Sequence, residues 1–172
     1  DPIDGVIIKE NIIKNVVQPN AGANGIKLQA NVSNITIESN KIENIRGYWS
    51  YGITSTPSTK ELGVPQNVEI KYNIIKNITA SNPDWEGNAI GIDGSDSNGY
   101  ANASEVITKN NCFLDTGVGT VNKDPVNTLD ARYNYWNSSQ GPDGTNGAMA
   151  SGNVNYEPYK EECTSISIEK YT

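Results

Sequence analysis

Histidine is absent from the 172 residues, which excludes His-based triads, haem ligation and histidine-held metals. Two cysteines are too few to build a structural zinc site alone. Only thirteen residues are Lys or Arg against twenty Asp or Glu, a formal charge of −7, so the basic face that nucleic acid requires is missing. No apolar run approaches the roughly 18 residues of a bilayer span, so membrane insertion within this segment is not expected. A signal-peptide pattern is also lacking. Leucine is scarce, with four residues, and Ile, Leu, Val and Phe together make 36, close to the composition at which chains of high net charge stay unfolded. A charge of −7 is small for this length, so self-repulsion does not explain the shortage. The chain starts in the middle of a pattern and carries one Met, Met149, which reads as a segment of a longer protein.

What is abundant is Asn, 24 residues, with 16 Gly, 20 Ile and 11 Val. Ile and Val in place of Leu favour strand over helix. The segments VIIKENIIKNV from Val6, ITIESNKIENI from Ile35 and VEIKYNIIKNI from Val68 superimpose without gaps. Each reads apolar, x, apolar, two polar, Asn, x, Ile, x, Asn, apolar. Two degraded copies follow from Glu105 and Leu129, placing the repeated Asn at Asn11, Asn40, Asn73, Asn110 and Asn134. A short Gly-apolar element recurs between copies, at Gly25, Gly52, Gly91 and Gly117.

Apolar residues at i and i+2 mark strands with one buried face. Two such strands flank each Asn and a third lies at the Gly-apolar element. Three strands per turn over about five turns predicts an all-β, right-handed parallel β-helix, a column on the order of 24 Å tall. An antiparallel sandwich with Asn-rich turns is the alternative. Stacked Asn amides donate and accept at once, so the five Asn are expected to bond from turn to turn, with a second column at Asn15, Asn44 and Asn77. Lys9, Glu38 and Lys71, and likewise Lys14, Glu43 and Lys76, alternate in sign and support the same register. Trp136 falls on an inward slot of the last copy, where its ring would plug the open end of the solenoid.

The run NTLDARYNYWNSSQGPDG from Asn127, followed by NVNYEPYKEE from Asn153, resembles the terminal segment of the NosD-like right-handed β-helix repeat family of the pectin-lyase-like superfamily. Tyr135 and Asn137 stand where that family carries Trp and Gly, and Tyr159 where it carries a final Trp. The resemblance covers Gly5 to about Glu162 and implies a β-helix over 1–162 with a C-terminal cap at 127–162. The closing residues 163–172 form a tail or, by similarity, the first strand of an immunoglobulin-like repeat. The resemblance also implies an extracellular setting, cell-surface or secreted, and partners among polysaccharides or neighbouring surface modules.

Fold does not set activity, so each candidate site is weighed on its residues. No acid pair recurs on one face, and neither Arg46 nor Arg132 lies in a lyase-like motif, so the reading leans away from an enzyme. The expected function is a non-catalytic structural or adhesive module, with a polysaccharide-binding module and a lyase or hydrolase fragment as alternatives. Tyr48, Trp49, Tyr51 and Trp85 sit on loops leaving one corner of successive turns. They offer flat apolar faces for a sugar, or else pack on the column. Asp93, Asp96, Asn98 and Glu105 approximate a calcium-binding loop whose first ligand position is Gly94; the other reading is a solvated turn. Calcium is accordingly the only cofactor candidate. Cys112 and Cys163 form a disulfide in an exported protein, whereas an inward slot for Cys112 favours a buried thiol. Sequons occur at Asn31, Asn34, Asn77, Asn102 and Asn137, with Asn102 the most accessible and Asn77 expected to be engaged in its column.

Overall fold

The computed structural model describes residues 3–57, 59, 62–95, 99–142 and 147–164, and within them the chain is a parallel β-solenoid of about five turns with almost no helix. Three sheets run along the column. The first stacks Val32–Glu38, Gln66–Lys71, Val106–Lys109, Leu129–Asp130 and Val154–Asn155, with Ile3–Asp4 and Ile7–Lys9 sharing its starting edge. The second stacks Ile12–Gln18, Lys41–Gly47, Ile74–Ala80 and Cys112–Leu114. The third stacks Ala23–Gln29, Ser50–Thr56, Gly87–Ile92, Val118–Asn122 and Met149–Gly152.

A left-handed residue makes the corner between the first and second sheets in every turn. Glu10, Ser39, Tyr72, Asn110 and Tyr133 hold φ of 57°, 55°, 57°, 57° and 61°. The next residue is the ladder Asn. In the middle of the ladder Asn73 donates from Nδ2 to Ile37 O, Lys71 O and Asn111 Oδ1 at 2.9, 3.0 and 2.9 Å. Its Oδ1 accepts from Asn40 N and Nδ2 at 2.9 and 3.0 Å. The same pattern links Asn11 to Asn40 and Asn111 to Asn134. The corner carbonyls and amides that a tight turn would orphan are satisfied by side chains in this way.

The fourth member of the ladder is Asn111, not Asn110. The steps between members are 29, 33, 38 and 23 residues. Asn110 is the left-handed corner residue, a role Asn tolerates well. The shift carries through the whole copy. Val106 stacks on Val68 and Thr108 on Ile70, so Thr108 occupies the inward slot and Ile107 points out, 42% exposed. Phe113 takes the inward slot beside Ile75, and Cys112 pairs with the outward Ile74. The Gly-apolar element shifts as well. Ile90 stacks on Ile53, which makes Ala89 and Gly119 the counterparts of Gly52.

Two further ladders line the column. Asn44 Nδ2 donates to Asn15 Oδ1 at 3.0 Å and Asn77 Nδ2 to Asn44 Oδ1 at 2.8 Å, both exposed, with all three Asn left-handed. A left-handed residue inside a strand resets the alternation, so Ile42 and Ile45, and Ile75 and Ile78, are both buried although three apart. On the first sheet Asn34 Nδ2 donates to Asp4 Oδ1, Asn67 Nδ2 to Asn34 Oδ1, and Asn67 N to Glu105 Oε2. Hydrogen bonds from Ser33 and Asn34 hold the Asp4 carboxyl below its ordinary value.

Stacked isoleucines, Ile35, Ile37, Ile42, Ile45, Ile70, Ile75 and Ile78 among them, fill the narrow interior. Each contributes about 2 kcal/mol of apolar burial. Trp136 is fully buried at the C-terminal end, with its ring 5.0 Å from Phe113 and 6.2 Å from Tyr156. Cys112 and Cys163 form a disulfide that ties the residues after the last rung to the outside of the second sheet. The outward register of Cys112 is what makes the bond reachable. Of the charge ladder, Glu38 and Lys71 come within 3.7 Å, while Glu43 pairs along its own strand with Lys41 and Lys76 with Asp115. Such exposed pairs contribute little, on the order of 0 to 1 kcal/mol each.

Candidate functional site

The third sheet carries the aromatic loops. Tyr48 and Trp49 leave the end of Lys41–Gly47, and Trp85 lies on the longer connection before Gly87–Ile92. The two connections are joined directly, since Asn82 N donates to Tyr48 O at 3.4 Å and Ser81 N to Gly47 O at 2.7 Å. This brings the rings together. Tyr48 and Trp49 meet edge to face at 5.7 Å, and Trp49 and Trp85 are tilted by 46° at 6.2 Å. Trp49 also lies against Gly22, where an added Cβ would overlap the indole. It therefore packs and presents surface at once, being 38% exposed beside Trp85 at 42%.

Tyr51 differs from the other three. It is buried, 2% exposed, and its ring lies on the backbone of Gly91, which leaves no room for a side chain there. Burial, then the Asp93 charge, pushes its phenol up to about 12. Lys123, from the next turn, completes the cluster. Its ammonium is 2.7 Å from Asp93 Oδ1, 5.0 Å from the Trp85 ring centre and 6.0 Å from that of Tyr51. Burial pulls the Lys123 pKa down, but the bond to Asp93 and the contact with Tyr51 outweigh it and leave it above its ordinary value. Lys123 eludes pattern reading because it lies between the fourth and fifth copies of the repeat, in an irregular connection. The one hint in the sequence is a lone cation directly after the strand Val118–Asn122.

Two hollows flank this cluster. One, of about 320 Å³, is lined by Trp49, Tyr51, Pro57, Trp85, Asp93 and Lys123. The other, of about 310 Å³, shares Tyr51, Trp85 and Lys123 and adds Asp84, Glu86 and Val121. Trp85 and Lys123 thus form a ridge between them. Arg46 lines neither, its strand position stacking between Val17 and Thr79.

The two calcium candidates within the described residues, Asp93 and Glu105, each hold another partner. Asp96 and Asn98 lie outside the described residues. Asp93 is committed to Lys123, and Glu105, on the short 3-10 turn Ala103–Glu105, accepts from Asn67. Among the described residues no group of three or more His, Cys, Asp or Glu is placed to hold a metal. The slot assigned to Glu105 from the repeat belongs to Val106, so Glu105 ends a ladder and displaces no apolar residue. Asp124 organises the neighbouring connection. Burial raises its pKa, but bonds from Ala103 N, Val126 N and Asn127 outweigh this and hold it below the ordinary range.

The sequons divide by how their amides are used. Asn34 and Asn77 belong to ladders, and Asn102 accepts from Ser104 N and Oγ at 3.0 and 2.8 Å as the cap of its 3-10 turn. Asn137 is half-buried and left-handed, whereas Asn31 is exposed. No protein-family model, no curated protein and no solved structure matches the chain.

Proposed function

We propose that the chain is a rigid, non-catalytic β-helix module of an extracellular, cell-surface protein, of the NosD-like kind that its terminal motif resembles. The observation that carries this reading is the Cys112–Cys163 disulfide, which clamps the segment after the last rung onto a column already bonded along three Asn-lined edges. Disulfides persist in oxidising compartments, and a clamp of this kind suits a module that bears load outside the cell. The test is to treat intact cells producing the full chain with a membrane-impermeant amine reagent and to count free thiols. Surface labelling with no free thiol is expected; an unlabelled chain with two reactive thiols overturns the proposal.

A second reading is favoured by one observation, the half-exposed Trp49 and Trp85 rings at the mouth of a hollow that also holds polar groups. Apolar faces rimmed by hydrogen-bonding groups suit a polysaccharide. Binding of the chain to polysaccharides, lost in Trp85→Ala, supports this reading; absence of binding across neutral and acidic polymers removes it. Trp85 is the better probe because Trp49 also packs on Gly22.

A further inference from the structure

Resting on the polysaccharide-binding reading, we infer that the third-sheet site takes an uncharged, linear oligosaccharide that crosses the Trp85 ridge and occupies both hollows. Two features of the site carry this.

The first is charge. Among the described residues lining the two hollows are three carboxylates, Asp84, Glu86 and Asp93, against a single ammonium, Lys123. That ammonium is held at 2.7 Å by Asp93 and rests against the Trp85 ring. Its charge is therefore matched from within the protein, and Asp84 and Glu86 remain exposed in the second hollow. A polyanion would meet net repulsion there. An uncharged sugar would meet an ion pair able to act as a combined donor and acceptor for neighbouring hydroxyls, a role that needs no ligand charge. Bare cations are disfavoured as ligands because Lys123 already fills the aromatic corner that would attract them.

The second is shape. The hollows, of about 320 and 310 Å³, each stand at the low end of the roughly 300–1,000 Å³ range of small-molecule sites. They adjoin across residues common to both, so a chain stacked on Trp85 enters both sides, while a single ring fills only one. Affinity is thus expected to grow with chain length and then level off.

The experiment is calorimetric titration of the chain with glucose, cellobiose and cellohexaose, the matching xylose, mannose and N-acetylglucosamine series, and hexagalacturonate, at low and high salt. At least one neutral series is expected to gain about tenfold or more in affinity from disaccharide to hexasaccharide, with no salt dependence. Trp85→Ala should abolish binding of both lengths. Ser151→Trp, which places an indole at the second hollow from an exposed position, should remove the gain with length. Urea midpoints check that both variants fold. Equal affinity for disaccharide and hexasaccharide, or salt-sensitive binding of hexagalacturonate alone, overturns this inference while the polysaccharide reading stands. No binding of any probe overturns both.

Discussion

Replacing Asn73 with alanine removes an amide that sits fully buried between two turns and serves both. Three acceptors, Ile37 O, Lys71 O and Asn111 Oδ1, lose a donor, Asn40 N loses its acceptor, and Asn40 Nδ2 loses one of three. An NH₂ group has only two protons, so its three contacts amount to two bonds, one of them shared. Counting about 1 kcal/mol for each lost bond, and up to about 3 for a buried group left without a partner, the cost comes to about 3–6 kcal/mol. Asn77 offers the comparison. Its amide donates to Asn44 from an exposed position, and its left-handed φ of 53° costs alanine a little more than asparagine. Asn77→Ala should cost about 1 kcal/mol. Urea unfolding monitored by far-ultraviolet circular dichroism measures both, provided the two m-values agree. Equal losses for the two variants would refute the idea that buried ladder rungs, and not Asn content as such, hold the turns together.

The Asn110–Asn111 pair supplies a sharper test of register: Asn110→Gly should be neutral or stabilising, because glycine adopts φ of 57° freely, whereas Asn111→Ala should cost as much as Asn73→Ala. The reverse ranking would return Asn110 to the ladder. Reducing the disulfide, or making Cys112→Ser, opens a constraint spanning 51 residues, for which the chain-entropy relation gives about 4 kcal/mol. A loss under about 1 kcal/mol in urea would show that the clamped segment contributes nothing to the column. The Tyr51 phenol should ionise near 12, and Asp93→Asn should bring that midpoint down. Because the folded state keeps the Tyr51 proton after the unfolded chain has released it, stability should fall between pH 10 and about 12, by up to about 3 kcal/mol. Ultraviolet absorbance of tyrosinate against pH, read alongside circular dichroism, would contradict this if every tyrosine titrated near 10 in the folded protein.

The solenoid was legible because its three best copies share one spacing between inward residues and Asn, from Val6, Ile35 and Val68. The fourth copy misled for a physical reason. Asn110 and Asn111 each satisfy one demand of the corner, left-handed backbone and bridging amide, so composition alone could not rank them. The inward Thr108 then hid the apolar pattern. One signal favours the other register, Phe113 in line with Ile75, whereas Lys109 beside Lys71 breaks the alternation of sign and is offset by Glu69, which pairs with both. The Asp4–Asn34–Asn67–Glu105 ladder escaped notice because its members are three different residue types. Of the aromatic cluster, Tyr48, Trp49 and Trp85 stand out in the loop sequences, while Tyr51 lies on the strand Ser50–Thr56. Lys123 and the burial of Tyr51 depend on contacts between turns that no local pattern records.

Where the spacing varies is itself informative. The corner between the first and second sheets admits no insertion, since one residue more would take the Asn out of reach of the rung beside it. Extra residues therefore collect at the two ends of the third sheet: residues 81–86 before Gly87–Ile92, 57–65 after Ser50–Thr56, and 93–105 after Gly87–Ile92. Trp85, Pro57 and Asp93, three of the residues around the first hollow, come from these three insertions. The ladders that stiffen two sides of the column thereby leave the third sheet as the side where sequence can change without breaking a rung. A binding surface on this fold is expected there, and substitutions that alter ligand choice should concentrate in the same three connections.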